Sequence, residues 1–264
     1  MIKLRSREEI ERISVSARIV AETLDLLRGL SLPGATTKEL DEKGEEYIRS
    51  QGGTPSFLGY HGYPASTCIS VNEQVVHGIP GNRVLRDGDI VGIDVGVMKN
   101  GYHGDAAITT SVGEVPAHVQ ELLRVTDECL LRGIDAFREG NRLGDLGHAI
   151  QAHAEKHGYG VVRNLVGHGI GEKMHEDPQV PNYGNPGSGL KLKAGMVFAI
   201  EPMITMGGWE VETLADRWTI VTRDGSLAAH FEHTVALTDQ GPKILSVTDG
   251  RTVSVGPVQR GAER

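Results

Sequence analysis

Two stretches of this chain repeat each other at an offset of 106 residues. "LPGATTKELDEKGEEYIRSQG" aligns with "FREGNRLGDLGHAIQAHAEKHG", carrying Gly34 onto Gly140, Leu40 onto Leu146 and Gly52 onto Gly158; Leu24 falls on Leu130. Each unit reads as two helices followed by strands. Ser6 and Glu9 have capping-box spacing, followed by Ile10, Ile13, Ala17, Val20, Leu24 and Leu27 at helical period, and this helix is expected to end near 32–34. Thr36 and Glu39 open a second helix that closes at Gly52-Gly53. A third helix covers "VPAHVQELLRVTDECLLRGIDAF", with Pro116 near its first turn, and a fourth runs from about Leu143 to His157. Strand patterns fall at 65–71, 75–79, 196–205, 217–222 and 227–237. Two helices then β-structure, twice over, imply an α+β protein of two pseudo-symmetric halves. The approximate halves are 1–112 and 113–248 of a single domain, with their strands meeting in one sheet and a site between them. The polar tail from Asp249 has no period and is expected to be partly disordered.

"VGIDVGVMKNGYHGDAAIT", residues 91–109, reads as a hairpin with Asn100-Gly101 supplying the turn. A four-residue loop from Met98 to Gly101 would set Asp94 directly across from Asp105. Both would lie on the face opposite Ile93, Val95 and Val97. Facing like charges destabilise a strand pair unless something lies between them. A divalent cation would turn the pair into an asset. Exposed hairpin decoration is the competing reading.

Further ligand candidates come from the second half. "VGHGIGEKMHEDP" sets His168 between glycines with His175 seven residues on; "MVFAIEPMI" puts Glu201 within an apolar strand, and "HFEHTVAL" puts Glu232 at the start of another. Charged groups in such settings are rarely buried without a partner or a metal. Taken singly, Glu201 also fits a solvent-facing edge strand next to Pro202, and His168 an ordinary loop histidine. Four ionised carboxylates and one neutral imidazole balance two divalent charges. Oxygen-rich ligation with one imidazole suits Mn, Fe, Co or Zn and lacks the thiolates of structural zinc sites. Two ions about 3.5–4 Å apart activate water toward a carbonyl, as in aminopeptidases.

Composition excludes several classes. With 264 residues, 39% hydrophobic and 23% charged, the chain can bury a substantial core. Its net charge of −8 and the lack of a basic block argue against nucleic-acid binding. The charged start, "MIKLRSREEIERIS", matches neither a signal peptide nor a membrane anchor, and no apolar run has spanning length. Cys68 and Cys129 form no metal-type pair and no disulfide framework, so the expected setting is reducing and cytoplasmic.

"GYHGYP", "VNEQVVHGIP", "IDVGVMKNGYHGD", "GHGIGEKMHEDPQVPNYG", "FAIEPM" and "FEHT" resemble type I methionine aminopeptidase, in order and over nearly the whole chain. The resemblance implies the pita-bread fold, two pseudo-symmetric halves around a central curved antiparallel sheet, and a metal-dependent peptidase. Such an enzyme removes the initiator methionine from nascent polypeptides, preferring a small second residue. It implies two divalent ions. Asp94 would chelate one and Asp105 would bridge both; His168 and Glu201 would hold the other, with Glu232 bridging. Glu201 would also act as proton-shuttling acid and base, and His77 and His175 as substrate-contacting catalytic histidines. Tyr60, Tyr63, Cys68 and Trp218 match the pocket for the methionine side chain. The chain is expected to be the minimal bacterial form, a monomer that meets nascent chains through transient ribosome association.

Three positions depart from the family pattern. Met174 precedes His175 where an aromatic residue is common, and a thioether suits a methionine pocket. Phe57 replaces a small residue and would narrow the pocket rim. His230 replaces an expected glutamine; it reads as a solvated strand histidine or as a partner to the site. His118, His148, His153 and His157 read as solvated helix positions, and His61 and His103 as loop-stabilising residues. The rival enzyme is an Xaa-Pro aminopeptidase or prolidase, which shares fold and ligands but carries a further N-terminal domain. A metal-free binding module of the same fold is the other alternative, although all five ligand positions are intact.

Overall fold

A computed structural model describes residues 2–248; the expected disorder of the tail lies outside the described residues. The first part of the chain forms α1 (Arg7–Leu30), α2 (Thr37–Ser50), β1 (Thr54–Pro55), β2 (Cys68–Val71), β3 (Gln74–Val76), β4 (Ile90–Lys99) and β5 (Tyr102–Ser111). The rest forms α3 (Ala117–Ala136), α4 (Leu143–Lys156), β6 (Gly160–Val161), β7 (Gly167–Gly169), β8 (Glu176–Val180), β9 (Val197–Ile200) and β10 (Met203–Thr205). It ends with β11 (Val211–Thr213), β12 (Ile220–Thr222), β13 (Ala228–His230), β14 (Glu232–Thr238) and β15 (Gly241–Ile244).

The helices start where their caps dictate. Glu9 N–H donates to Ser6 Oγ at 3.2 Å and Ser6 N–H to Glu9 Oε2 at 2.8 Å, closing the capping box of α1. Thr36 and Glu39 do the same for α2, with the same two distances. The buried stripe of α1, including Ile13, Val20, Leu24 and Leu27, covers the hairpin face that carries Ile93, Val95 and Val97.

The repeat is visible in the backbone. Leu143 lies 106 residues after Thr37, Lys156 106 after Ser50, and Ala136 106 after Leu30, so three helix boundaries coincide. Gly34 and Gly140 have φ of 97° and 94°, a left-handed conformation that glycine alone takes without strain. An isolated antiparallel bridge follows in each unit, Thr36 to Val84 and Arg142 to Lys191.

A nine-stranded antiparallel sheet joins the two units in the order β1-β4-β5-β14-β9-β7-β8, with β2 on β4 and β15 on β14. The inner strands β5 and β14 lie side by side, each flanked by its own unit's partner, β4 and β9. Three sequence expectations need correction. The 90–111 hairpin closes through Asn100-Gly101 alone, both left-handed at φ 54° and 80°, because that turn matches the twist of the strands. The register therefore sets Asp94 across from Ala107 and Asp105 across from Gly96, not across from each other. The 196–205 segment breaks into β9 and β10 at Glu201-Pro202, and the two strands join different sheets. The 227–237 segment likewise breaks at Phe231.

Candidate metal centre

Strand register gathers the acidic residues on one face. Ala107 is the cross-strand partner of Asp94 on one side and of Glu232 on the other, so a small side chain stands between two carboxylates. Asp105 lies two residues from Ala107 on β5 and shares its face. Glu201 follows Ile200, the partner of His233, and so comes beside Glu232. His168 pairs with Ala199, two residues before Glu201, which turns the imidazole to the same side. The hairpin aspartates are thus diagonal neighbours, and the cluster is completed by strands distant in sequence.

These groups are dry and close. Asp105, His168 and Glu232 offer ligand atoms that all lie within 4.8 Å of one another. His168 Nε2 stands 3.7 Å from Asp105 Oδ2 and 3.6 Å from Glu201 Oε1. Its Nδ1–H donates to the Gly169 carbonyl at 3.0 Å, which leaves Nε2 as a free lone pair. Thr234 Oγ1–H donates to the Asp105 carbonyl at 2.7 Å and accepts from Asp105 N–H at 2.9 Å, pinning β5 to β14. Asp94 Oδ1, Asp105 Oδ1 and Glu232 Oε1 are buried and find no hydrogen-bond partner among the described residues. Each such orphan costs roughly 1–3 kcal/mol, more when charged. A divalent cation would supply the missing partner, and the carboxylate-imidazole donors suit it.

Electrostatics point the same way. Burial pushes the Asp94 carboxyl up to about 7. Burial, then the neighbouring carboxylates, hold Asp105, Glu201 and Glu232 well above the usual carboxylate range. Burial, then the nearby His175, drives His168 down to about 3, so its ring is neutral. Protein alone cannot keep these four carboxylates ionised together; an added positive charge can.

Above this face lies a cavity of about 120 Å³ lined by all five of these residues together with Phe57, Tyr60, Tyr63, Cys68, His77, His175 and Trp218. Tyr63 and Trp218 meet edge-on with ring centroids 5.1 Å apart. Asp216 fixes the Trp218 backbone by accepting from its N–H at 2.9 Å. Cys68 is buried, and its thiol is held far above the ordinary range by burial and by Asp94, so it acts as an apolar wall. His77 takes a left-handed φ of 58°, a strained backbone position of the kind found at functional sites. Tyr60 O–H lies 2.8 Å from His175 Nδ1, and the two rings stack at 5.2 Å. Burial, then His77, lowers His175 to about 4.

His230 corrects an expectation. It is 3% exposed rather than solvated, and its Nε2, which has no hydrogen-bond partner among the described residues, stands 3.7 Å from Glu201 Oε2. The strand interruption at Phe231 follows it directly, and Thr109 Oγ1 grips its backbone, accepting from His230 N–H and donating to the His230 carbonyl, both at 2.9 Å. Its position two residues before Glu232 was the available signal. His153 is also buried, bonded to Glu128, whereas His118 and His148 are exposed. His103 lies within β5, where its Nδ1 meets Ser56 Oγ at 2.9 Å, and not in a loop. Phe57 and Met174 close in on Gly96, where an added Cβ would come within 2.9 and 3.0 Å of them.

Residues 11–239 match metallopeptidase family M24. A methionine aminopeptidase of Clostridium perfringens is 53% identical over 247 residues, covering 94% of this chain and 99% of that one. The chain belongs to metallopeptidase family M24 and, within it, to the methionine aminopeptidases. The crystal structure of methionine aminopeptidase from Thermotoga maritima superposes with a TM-score of 0.92 at 46% identity, covering 93% of this chain and 99% of that chain. The Xaa-Pro dipeptidase from Bacillus anthracis gives 0.76 at 21% identity, covering 95% of this chain and 63% of that one, a likeness of fold alone. The family's pita-bread architecture is the α+β arrangement described above. Among the described residues no helix is long and apolar enough to cross a membrane.

Proposed function

We propose that this chain removes N-terminal methionine from peptides and nascent proteins, favouring a small second residue. It works as one catalytic domain built of the halves 1–112 and 113–248. The observation that carries this reading is the shared face. Four carboxylates and a neutral imidazole, with three buried carboxylate oxygens unpartnered among the described residues, line the same cavity as Tyr63, Cys68 and Trp218. Asp94 and Asp105 would hold one divalent ion and His168 and Glu201 the other, with Asp105 and Glu232 shared between them. Two divalent charges balance four carboxylates. When bound, the metal supplies Lewis acidity and an activated water.

The chain's own residues do the rest. Glu201 takes a proton from the attacking water and returns it to the leaving amine nitrogen. Tyr60 Oη and His175 Nδ1 share a hydrogen bond of 2.8 Å, and we assign Tyr60 as its donor, which puts the single proton of the neutral His175 ring on Nε2. His175 and His77 then hold the substrate amide and the oxygen on which charge develops. Tyr60, Tyr63, Cys68 and Trp218 receive the unbranched thioether, with Phe57 at the wall.

Metal-stripped protein is the test. Mn(II), Co(II), Fe(II) or Zn(II) is added back with Met-Ala-Ser beside Ala-Pro-Ala as substrates. Methionine release only after metal addition, with the proline peptide untouched, is the expected result. Cleavage of the proline peptide alone would move the chain to the prolidase activity, and silence on both with metal bound would end the proposal. His175→Ala should lose most of the rate while metal content stays unchanged.

A further inference from the structure

A second cluster of ligating side chains lies on the helices, sharing no residue with the central cavity. His153 and His157 stand four residues apart at the C-terminal end of α4 and share one helical face. Their rings approach to 4.9 Å between centroids at an interplanar angle of 63°. From α3, Glu128 brings Oε2 to 2.7 Å from His153 Nε2. Ligand atoms of Glu128, His153 and His157 all lie within 4.8 Å of one another. Arg124 Nη1 holds the other Glu128 oxygen at 2.5 Å, which orients the carboxylate toward the histidines. Glu121, two helical turns earlier on α3, places Oε1 3.7 Å from His157 Nδ1. His153 is 9% exposed and His157 half-buried, so one ligand is anchored and the other is free to close on an ion.

The structure assigns to Glu128, His153 and His157 a second divalent-metal site that clips α3 to α4, selective for late first-row ions such as Zn(II) or Ni(II). Two imidazoles one helical turn apart and a carboxylate from the neighbouring helix make a two-nitrogen, one-oxygen donor set with a position left for water or Glu121. Such a set favours Zn(II), Ni(II) or Cu(II) over Mg(II) or Ca(II), which take oxygen ligands. The central cluster is the reverse, with four carboxylates to one imidazole. On metal binding the single proton of the neutral His153 ring would move from Nε2 to Nδ1, so that Nε2, now hydrogen-bonded to Glu128, turns a lone pair to the ion instead. Burial, the largest influence on His153, holds its pKa below the ordinary value, so the ring is unprotonated and ready at neutral pH.

Because the ion binds the folded helix pair and joins two helices, it raises stability by mass action. The test uses the full-length metal-stripped protein, equilibrated with Zn(II) and analysed for bound metal, with a parallel thermal melt in Ni(II). His157→Ala should bind one equivalent fewer than the parent and show a smaller Ni(II)-induced rise in Tm, the part due to the central cluster remaining, with unchanged peptidase activity after reloading. Glu128→Gln, which keeps the shape of the side chain, should behave in the same way. Identical stoichiometry and an identical Ni(II) shift in parent and either folded variant would overturn the site, leaving the cluster as a hydrogen-bonded helix staple.

Discussion

In the first repeat a two-residue turn joins the strands that hold Asp94 and Asp105; in the second, residues 202–231 separate Glu201 from Glu232. The second helix of each unit, the C-terminal end of the first, the glycine turns and the bridges after them superimpose in number at an offset of 106 or 107. The strands that end in the cavity do not. Backbone-determined features repeat because caps and left-handed glycines are local and each unit needs the same ones. The inserted stretch of the second unit holds β10 to β13, supplies Trp218 to the cavity wall and turns His230 toward Glu201. One unit thus contributes two short acids on a rigid hairpin, the other longer acids from strand ends.

The sharpest way to break the comparison is to remove one acid from each inner strand. Asp105→Asn on β5 and Glu232→Gln on β14 should each cut peptidase turnover by at least about a hundredfold, the upper end of what losing an outer-shell metal partner costs. Far-ultraviolet circular dichroism should stay unchanged, since the amide relieves buried like charge. A variant that keeps turnover within tenfold would mean that its strand does not serve the centre.

Leu24 and Leu130 occupy equivalent helix positions and are each 1% exposed. Leu24→Ala and Leu130→Ala should each cost about 2–5 kcal/mol in urea unfolding. If the units are equivalent, the two losses agree and add in the double variant. A large disparity would show that the two helices carry unequal shares of the core.

Asp127 falls where the first unit has Ala21, which is fully buried. Burial, then Glu128, pushes its carboxyl up to about 6. A folded pKa above the unfolded value near 3.9 means that the stabilising form is the protonated one. Its contribution is complete below about pH 4 and is lost as pH rises through 6. Asp127→Asn should therefore flatten the fall between those values and gain about 1–2 kcal/mol at pH 7, allowing for the group's partial exposure. Unfolding curves collected at several pH values would read it.

The smallest effect concerns the caps. Thr36 closes a capping box, whereas the equivalent Arg142 only has its N–H taken by Asp145 Oδ2 at 2.7 Å. Thr36→Ala should cost about 1 kcal/mol. Arg142→Thr should recover part of that on α4, unless loss of the Arg142 bond to the Gly189 carbonyl offsets it.

Much of this protein is legible in its sequence. Helix starts at Ser6 and Thr36, the stop at Gly158 and the 106-residue repeat depend on interactions a few residues long. The five ligand candidates stood out because charge within apolar strands is costly enough to need a reason. Register was the first thing to escape, since Asn-Gly hairpins of two and four residues look alike in sequence. The strand breaks at Glu201-Pro202 and Phe231 escaped as well, because they depend on which sheet each piece can join.

The sequence by itself determined the helix boundaries, the duplicated α+β plan and the identity of the acids. Only the tertiary structure decided that Asp94, Glu232 and Glu201 form a row around Ala107, that His230 faces Glu201, and that His153 is buried against Glu128. Those outcomes come from pairings between segments far apart in the chain. A side chain's neighbours across a sheet are set by register and by sheet order, and neither is encoded in its own few residues.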